Sequence, residues 1–347
     1  MKKLTVNLNR NYDIVIGKGL LSKCGELVRE LSSAKRLFIV SDSNVAAIYL
    51  DKVKISFENA GFEVYSYIFE AGEQSKTFDT INKIVNAMAK AHITRRDTAV
   101  ALGGGVTGDM TGFASAIYMR GIDFVQLSTS LLSDIDSSVG GKTGCDLSAG
   151  KNLIGAFHQP IAVIIDTDTL ATLPKKYYND GMGEAIKYGF IRSSALYNAI
   201  MNGYDLDELI YECVDIKRVI VENDEFEHGE RKLLNFGHTL AHAIEKYYNF
   251  SGYSHGEAVA IGMVMMTRAA ESNGLCEVGL TDKVIAVCQK CDLPTECDAD
   301  MKQLLKICLS DKKAHADSID IVISDKIGSA FTYTLKTDML ENFFGVE

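Results

Sequence analysis

The sequence predicts an α/β domain built on a mostly parallel sheet, followed by an α-helical domain, and three observations lead to that expectation. Through about residue 166, short apolar or β-branched runs alternate with helical stretches, the texture of βαβ units. After Thr172-Leu-Pro174 that texture gives way to long helical periodicity. With 347 residues the chain exceeds what one core usually serves, so two domains are expected, residues 1–170 and 171–347.

The elements follow in order. Met1 to Asn7 alternates polar and apolar residues as a strand does, and no apolar stretch of signal-peptide type follows Lys2 and Lys3. Arg36 to Val40, Phe62 to Phe69, Thr98 to Leu102 and Ile161 to Ile165 read as strands. Helical stretches from Asn44 to Ala60, Thr77 to Ala91 and Val106 to Ala116 separate them, so strand ends and helix starts meet where parallel sheets bind ligands. In the second half, Asp205 to Val221, His238 to Tyr248 and His255 to Ser272 carry helical periodicity. Ser318 to Ser324 and Ser329 to Leu335 read as a late hairpin turning over Asp325 to Gly328.

Apolar residues at 47% and charged residues at 24% are ordinary for a globular chain and exclude a disordered or fibrous one. No apolar run reaches the length of a membrane span, and a cytoplasmic location is expected. A formal charge of −10 repels nucleic acid and anionic membrane, so neither is expected as a partner, and an anionic substrate would need a local basic pocket. The eight cysteines read as thiols; Cys288 and Cys291 lack the second CxxC pair that a zinc site would ask for.

Five segments carry chemistry. Gly103-Gly-Gly-Val-Thr-Gly-Asp109 lies between a strand and a helix and satisfies GxGxxG, which suits either a pyrophosphate at a helix N-terminus or an unliganded tight turn. Gly140-Gly-Lys-Thr143 fails as a P-loop because Asp136 stands where the first glycine is needed; it leaves a lysine and an acid on a glycine-rich stretch suited to an anionic, hydroxylated ligand. His238 and His242 lie at i and i+4 on one helix face, and Thr239 replaces the glutamate that a zincin protease requires. Ser254 and Glu257 form a capping box that puts His255 in a first helical turn, while Glu184 and Lys187 stand one turn apart. Taken separately these are a histidine pair, a cap and an ion pair; one carboxylate and two imidazoles together are also the three-ligand set of a catalytic metal site.

Taken together, the segments resemble the 3-dehydroquinate synthase family over nearly the whole chain and in the same order. The stretches that carry the resemblance are Gly72 to Thr77, Gly103 to Asp109, Asp136 to Gly144, Gly150 to Pro160, Gly183 to Gly189 and Leu234 to Glu245. The chain departs from the family pattern at Ser128-Thr-Ser130, usually Pro-Thr-Thr, and in its acidic loop from Glu222 to Glu230.

The resemblance implies a Rossmann-like first domain, an α-helical metal- and substrate-binding second domain, and a homodimer. NAD would be held by Asp42, Asn44, Glu73, Lys76, the loop Gly104, Gly105, Val106, Thr107, Gly108 and Asp109, then Thr129, Ser130, Lys142, Lys151, and the turn Thr169, Leu170, Ala171 and Thr172. Zinc or cobalt would sit on Glu184, His238 and His255. Arg120, Asp136, Lys142, Asn152, Lys187, Lys217, Arg231, Asn235 and one of Lys312 or Lys313 would serve a sugar-acid phosphate, with Lys151 beside them and His242 as a proton acceptor. The implied reaction oxidises C5 of 3-deoxy-D-arabino-heptulosonate 7-phosphate, which acidifies C6 and expels phosphate. Reduction, ring opening and aldol closure follow, so no NAD is consumed.

Overall fold

The computed structural model describes residues 1–311 and 317–346. The chain divides into two compact units, residues 1–174 with 217–226, and residues 175–216 with 227–347.

The first unit holds β1 (Lys2–Val6), β2 (Tyr12–Gly17), α1 (Cys24–Leu31), β3 (Arg36–Asp42), α2 (Ser43–Asn59), β4 (Glu63–Phe69), α3 (Phe78–Lys90), β5 (Thr98–Gly103), α4 (Gly105–Ile117), β6 (Asp123–Ser128), β7 (Lys142–Leu147), β8 (Gly150–Phe157) and β9 (Ala162–Asp166). Seven strands form one sheet in the order β1-β2-β9-β6-β5-β3-β4. Every pairing is parallel except β1 with β2. The central strands β5 and β9 are buried along their whole length, as continuous apolar runs in a sheet covered on both faces must be.

Alternation along the strands sorts the core into two layers. Leu37, Ile39, Val100, Leu102, Val125 and Leu127 face Val28 of α1 and Val53 and Phe57 of α2. Phe38, Val40, Ala99 and Phe124 face Ile81, Ile84 and Met88 of α3 and Met110 and Phe113 of α4. The expected strands and helices of this half all form, with ends shifted by a residue or two. Four features were not legible: α1, β2, β6 and the antiparallel β7–β8 hairpin, which contains the glycine-rich stretches around Lys142 and Asn152.

The strand order sets the binding position. From β3 the chain moves to β4 on one side and to β5 on the other, so the order reverses between β3 and β5. At such a switch point the two following loops part and leave a crevice beyond the carboxyl ends of the strands. Asp42 ends β3 and Gly103 ends β5 at that place.

The second unit is mostly helical: α5 (Lys175–Ile191), α6 (Ser194–Asn202), α7 (Leu206–Asn223), α8 (His238–Tyr247), α9 (His255–Ser272), α10 (Leu280–Lys290), α11 (Met301–Asp311), the hairpin β10 (Ser318–Lys326) and β11 (Ser329–Lys336), and α12 (Leu340–Phe343). The last turns of α7, from Lys217, group with the first unit. The late hairpin forms as expected, with Ile319 opposite Leu335 and Ile321 opposite Tyr333. Among the described residues no helix is long and apolar enough to cross a membrane.

Candidate active site

In the second unit, three helices bring the chemistry together. Glu184 lies on the buried face of α5, His238 opens α8 and His255 opens α9. Two glycines permit the close approach of α5 and α9. A Cβ on Gly183 would stand 2.8 Å from the Gly256 carbonyl oxygen, and one on Gly256 would stand 2.4 Å from the Asp180 Cα. The Asp180 carboxylate accepts the Gly256 N–H at 2.9 Å and ties the start of α9 to α5. Glu257 accepts the Ser254 N–H at 2.8 Å, the glutamate half of the expected capping box.

Glu184 is fully buried, and its Oε1 faces His238 Nε2 at 3.3 Å and His255 Nε2 at 3.4 Å. Among the described residues this is the one group of three donors close enough to hold a metal ion, with all three ligand atoms within 4.8 Å of one another. Ligands bound at about 2.0–2.1 Å in a tetrahedron stand roughly 3.3–3.4 Å apart, so the spacing at Glu184 Oε1 fits zinc or a similar ion. That oxygen has no aligned hydrogen-bond donor although it is buried, as expected of an atom meant for a cation. The outer contacts favour the same use. His238 Nδ1 lies 3.1 Å from the Phe236 carbonyl oxygen and His255 Nδ1 lies 3.5 Å from Glu245 Oε1, leaving both Nε2 atoms turned toward Glu184.

Lys187, one turn after Glu184 and only 1% exposed, pairs with Glu184 Oε2. Burial alone would raise the Glu184 pKa, but Lys187 and the two histidines outweigh it and hold the carboxyl well below its usual range. Burial likewise opposes the charged form of His255, yet Glu184 and Glu245 push its pKa up to about 10. His242 stands exposed one turn after His238, its ring centroid 5.8 Å from that of His238 and 6.5 Å from that of His255. Arg231 is 1% exposed in the turn before α8. Asn235 Nδ2 donates to Glu227 Oε1 at 3.0 Å.

In the first unit the expected cofactor residues gather beyond the carboxyl ends of the strands. Asp42 caps α2 by accepting the N–H groups of Asn44 and Val45 at 2.9 and 3.1 Å, and Thr107 Oγ1 approaches its other oxygen at 3.4 Å. The turn Gly104 to Asp109 leads into α4, and a Cβ on Gly105 would stand 2.9 Å from Ser137 Oγ. Buried Thr129 donates its N–H to the Gly103 carbonyl at 3.2 Å, and Ser130 Oγ lies 3.0 Å from Ser133 Oγ. Buried Lys76 bridges Asp109 Oδ2 and Asn152 Oδ1, both at 2.7 Å. Burial disfavours its charge, but Asp109 and Glu73 raise its pKa above the ordinary lysine value.

Lys151 reaches Glu73 at 3.8 Å, while Lys142 and Asn152 lie exposed on the β7–β8 hairpin, Asn152 at φ +53°. Lys217 pairs with Asp136 at 2.9 Å. The turn Thr169 to Thr172 meets α2 through Tyr49, whose hydroxyl lies 2.6 Å from Thr172 Oγ1; Leu170 is buried and Ala171 exposed. Val106 and Gly108 lie on the first turn of α4, and a Cβ on Gly108 would meet Gln126 Oε1 at 2.6 Å. Arg120 sits on an exposed turn at φ +66° and joins none of these contacts. Lys312 and Lys313 lie outside the described residues.

Four site residues escaped the sequence reading. Asp180, Glu227 and Glu245 are acids whose value lies in a fold-given partner, and Asp146 accepts the Asn152 N–H at 2.7 Å while its own N–H donates to the Lys76 carbonyl. A signal existed for Glu245 alone, which stands on the same helix as His238 and His242. The acidic loop proves well partnered within each unit. Glu222 accepts from the Asn7 backbone and side chain, Glu225 from Gln159, Glu227 from Asn235, and Glu230 pairs with Arg192. Cys288 and Cys291 end a helix, and burial pushes their thiols up to about 12 and about 11, which suits inert thiols.

A doubly wound sheet with a glycine turn at its switch point, joined in one chain to a helical unit with a carboxylate and two imidazoles, defines an α/β protein equipped for a metal ion. Residues 66–180 match the family model described as 3-dehydroquinate synthase N-terminal, and residues 181–314 match 3-dehydroquinate synthase C-terminal. The chain belongs to the 3-dehydroquinate synthase family. It is 43% identical to the 3-dehydroquinate synthase of Clostridium botulinum over 99% of this chain and 100% of that one, and 44% identical to that of Streptococcus sanguinis over 98% and 99%. Among solved structures it is similar to 2-epi-5-epi-valiolone synthase from Streptomyces hygroscopicus, which holds NAD+ and Zn2+, with TM-score 0.87, 25% identity and coverage of 99% and 98%.

Proposed function

We propose that the chain converts 3-deoxy-D-arabino-heptulosonate 7-phosphate to 3-dehydroquinate and phosphate, using NAD and a zinc or cobalt ion. The donor set of buried Glu184 with half-buried His238 and His255, and Lys187 against it, is the observation that carries this reading. Residues 1–170 serve the dinucleotide and residues 171–347 serve metal and substrate, and a cytoplasmic homodimer belongs to the same reading. When bound, the cation supplies a Lewis acid for the substrate's hydroxyls and the dinucleotide a reversible hydride acceptor.

The chain's own residues bind, orient and move protons. Lys187 keeps a fixed positive charge beside Glu184, worth more in a dry site than in water. His242, exposed one turn after His238 on the same helix, takes the alcohol proton and passes it to solvent. Lys142, Lys151, Lys217, Arg120 and Arg231, with Asn152 and Asn235, orient the carboxylate, phosphate and hydroxyls, and Asp136 holds Lys217 in place. Cations are what an anionic substrate needs on a chain whose overall charge is −10.

The deciding experiment incubates the purified chain with this substrate, catalytic NAD and zinc, then identifies the product. Formation of 3-dehydroquinate with an equal amount of phosphate is expected; no turnover of this substrate alongside turnover of another phosphorylated sugar would overturn the assignment.

A further inference from the structure

We propose that Glu245 is a positioning residue for the metal: its carboxylate fixes the ring of His255 so that Nε2, and not Nδ1, meets the cation. The inference rests on reading Glu184, His238 and His255 as ligands, and it adds a function to a residue outside that set. Glu245 lies on α8, two turns after His238, and is 5% exposed. A carboxylate at that depth has given up most of its hydration, so it is retained at a cost unless a partner compensates it. His255 Nδ1 stands 3.5 Å from Glu245 Oε1, while Nε2 of the same ring stands 3.4 Å from Glu184 Oε1. The imidazole is therefore held at both nitrogens by carboxylates on different helices, Glu184 on α5 and Glu245 on α8.

The two imidazole ligands are held in different ways. His238 Nδ1 faces a backbone carbonyl, that of Phe236, two residues earlier in the same chain segment. His255 has no such local tether; its Nδ1 partner is a charged side chain from another helix. A carboxylate accepting Nδ1–H fixes the tautomer, aims the ring and makes Nε2 a stronger donor, and losing such a partner commonly weakens metal binding roughly 10–100-fold. His255 is half-buried at the start of its helix, with freedom to turn if nothing holds it. Glu245 supplies that hold.

The test measures zinc and cobalt affinity on the purified full chain by competition with a chromophoric chelator, for the parent, Glu245→Gln and Glu245→Asp. Glu245→Gln keeps shape and a hydrogen-bond acceptor but removes the charge. It should weaken zinc binding roughly 10–100-fold and change the visible spectrum of the cobalt form. Glu245→Asp should recover part of the affinity. A role confined to packing would lower the thermal midpoint of the metal-free protein and leave affinity and spectrum unchanged, and that result overturns the proposal. Should Glu245→Gln fail to fold, nitrogen NMR of histidines in the zinc-loaded parent decides. Nδ1–H with Nε2 on the metal is expected for His255, and the reverse tautomer overturns it. A parent chain that binds no zinc at all refutes the ligand reading itself, a separate outcome.

Discussion

Asp134 should add a pH dependence to the stability of this fold, and replacing it by asparagine isolates the effect. The residue lies in the π-helical turn Ser133–Ser137, has no exposed surface, and neither carboxyl oxygen has a partner in hydrogen-bond geometry among the described residues. Burial is the main cause of its pKa rising from 3.8 to about 8, the charge of Asp166 adds to the rise, and the Ser128 hydroxyl offsets part of it. The folded chain therefore keeps a proton that the unfolded chain releases above about pH 4. Stability is fully present below that pH and is lost as pH climbs toward 8, after which both states are ionised. At about 1.4 kcal/mol per pH unit, the loss reaches about 4 kcal/mol by pH 7 and about 6 across the window. That is a large share of the roughly 5–15 kcal/mol that holds a native protein together. Urea titrations of the parent and Asp134→Asn at pH 5, 6, 7 and 8 read it directly. The stability difference should move in favour of the variant by up to about 1.4 kcal/mol per unit. Parallel curves would refute the reasoning, because they would mean Asp134 binds the same number of protons in both states.

Prolonged chelation should abolish activity and zinc or cobalt should restore it; full activity in protein shown metal-free by elemental analysis contradicts the three-ligand site. His238→Ala should lose metal, whereas His242→Ala should keep it and lower kcat roughly 10²-fold or more, and a folded, metal-loaded, nearly fully active His242→Ala protein removes that residue from the chemistry. Phosphate release should continue for many turnovers on catalytic NAD without matching NADH absorbance; stoichiometric NADH would place the chain with simple dehydrogenases.

What was legible in the sequence follows from how each element is stabilised. β3, β5 and β9 are buried on both faces, so their apolar runs announce them, and α3 shows the stripe Ile81, Ile84 and Met88 on its buried face. The β7–β8 hairpin was illegible because its strands carry glycines and few large apolar residues around Gly144 and Gly155, where backbones meet so closely that a Cβ on Gly155 would stand 2.1 Å from the Thr143 carbonyl oxygen. β6, with Asp123 and Gln126 among its six residues, looks too polar for a central strand until its neighbours are known.

The site divides along the same physical line. Residue type and helical spacing marked Glu184, His238, His242 and His255 as a histidine pair, a capped helix start and an ion pair, and the family resemblance is what joined them into one candidate site. Glu245 and Asp180 contact His255 Nδ1 and the Gly256 N–H across helix boundaries, where any acid of suitable reach would serve and no fixed interval is imposed. Nor does any sequence signal foretell that Glu227, which sits at φ +63°, would meet Asn235. The candidate ligands are thus marked by residue type, whereas the partners of the acids around them are set by the packing of α5, α8 and α9. Substitutions at those aiming acids should for that reason change affinity and pH response before they change the identity of the reaction.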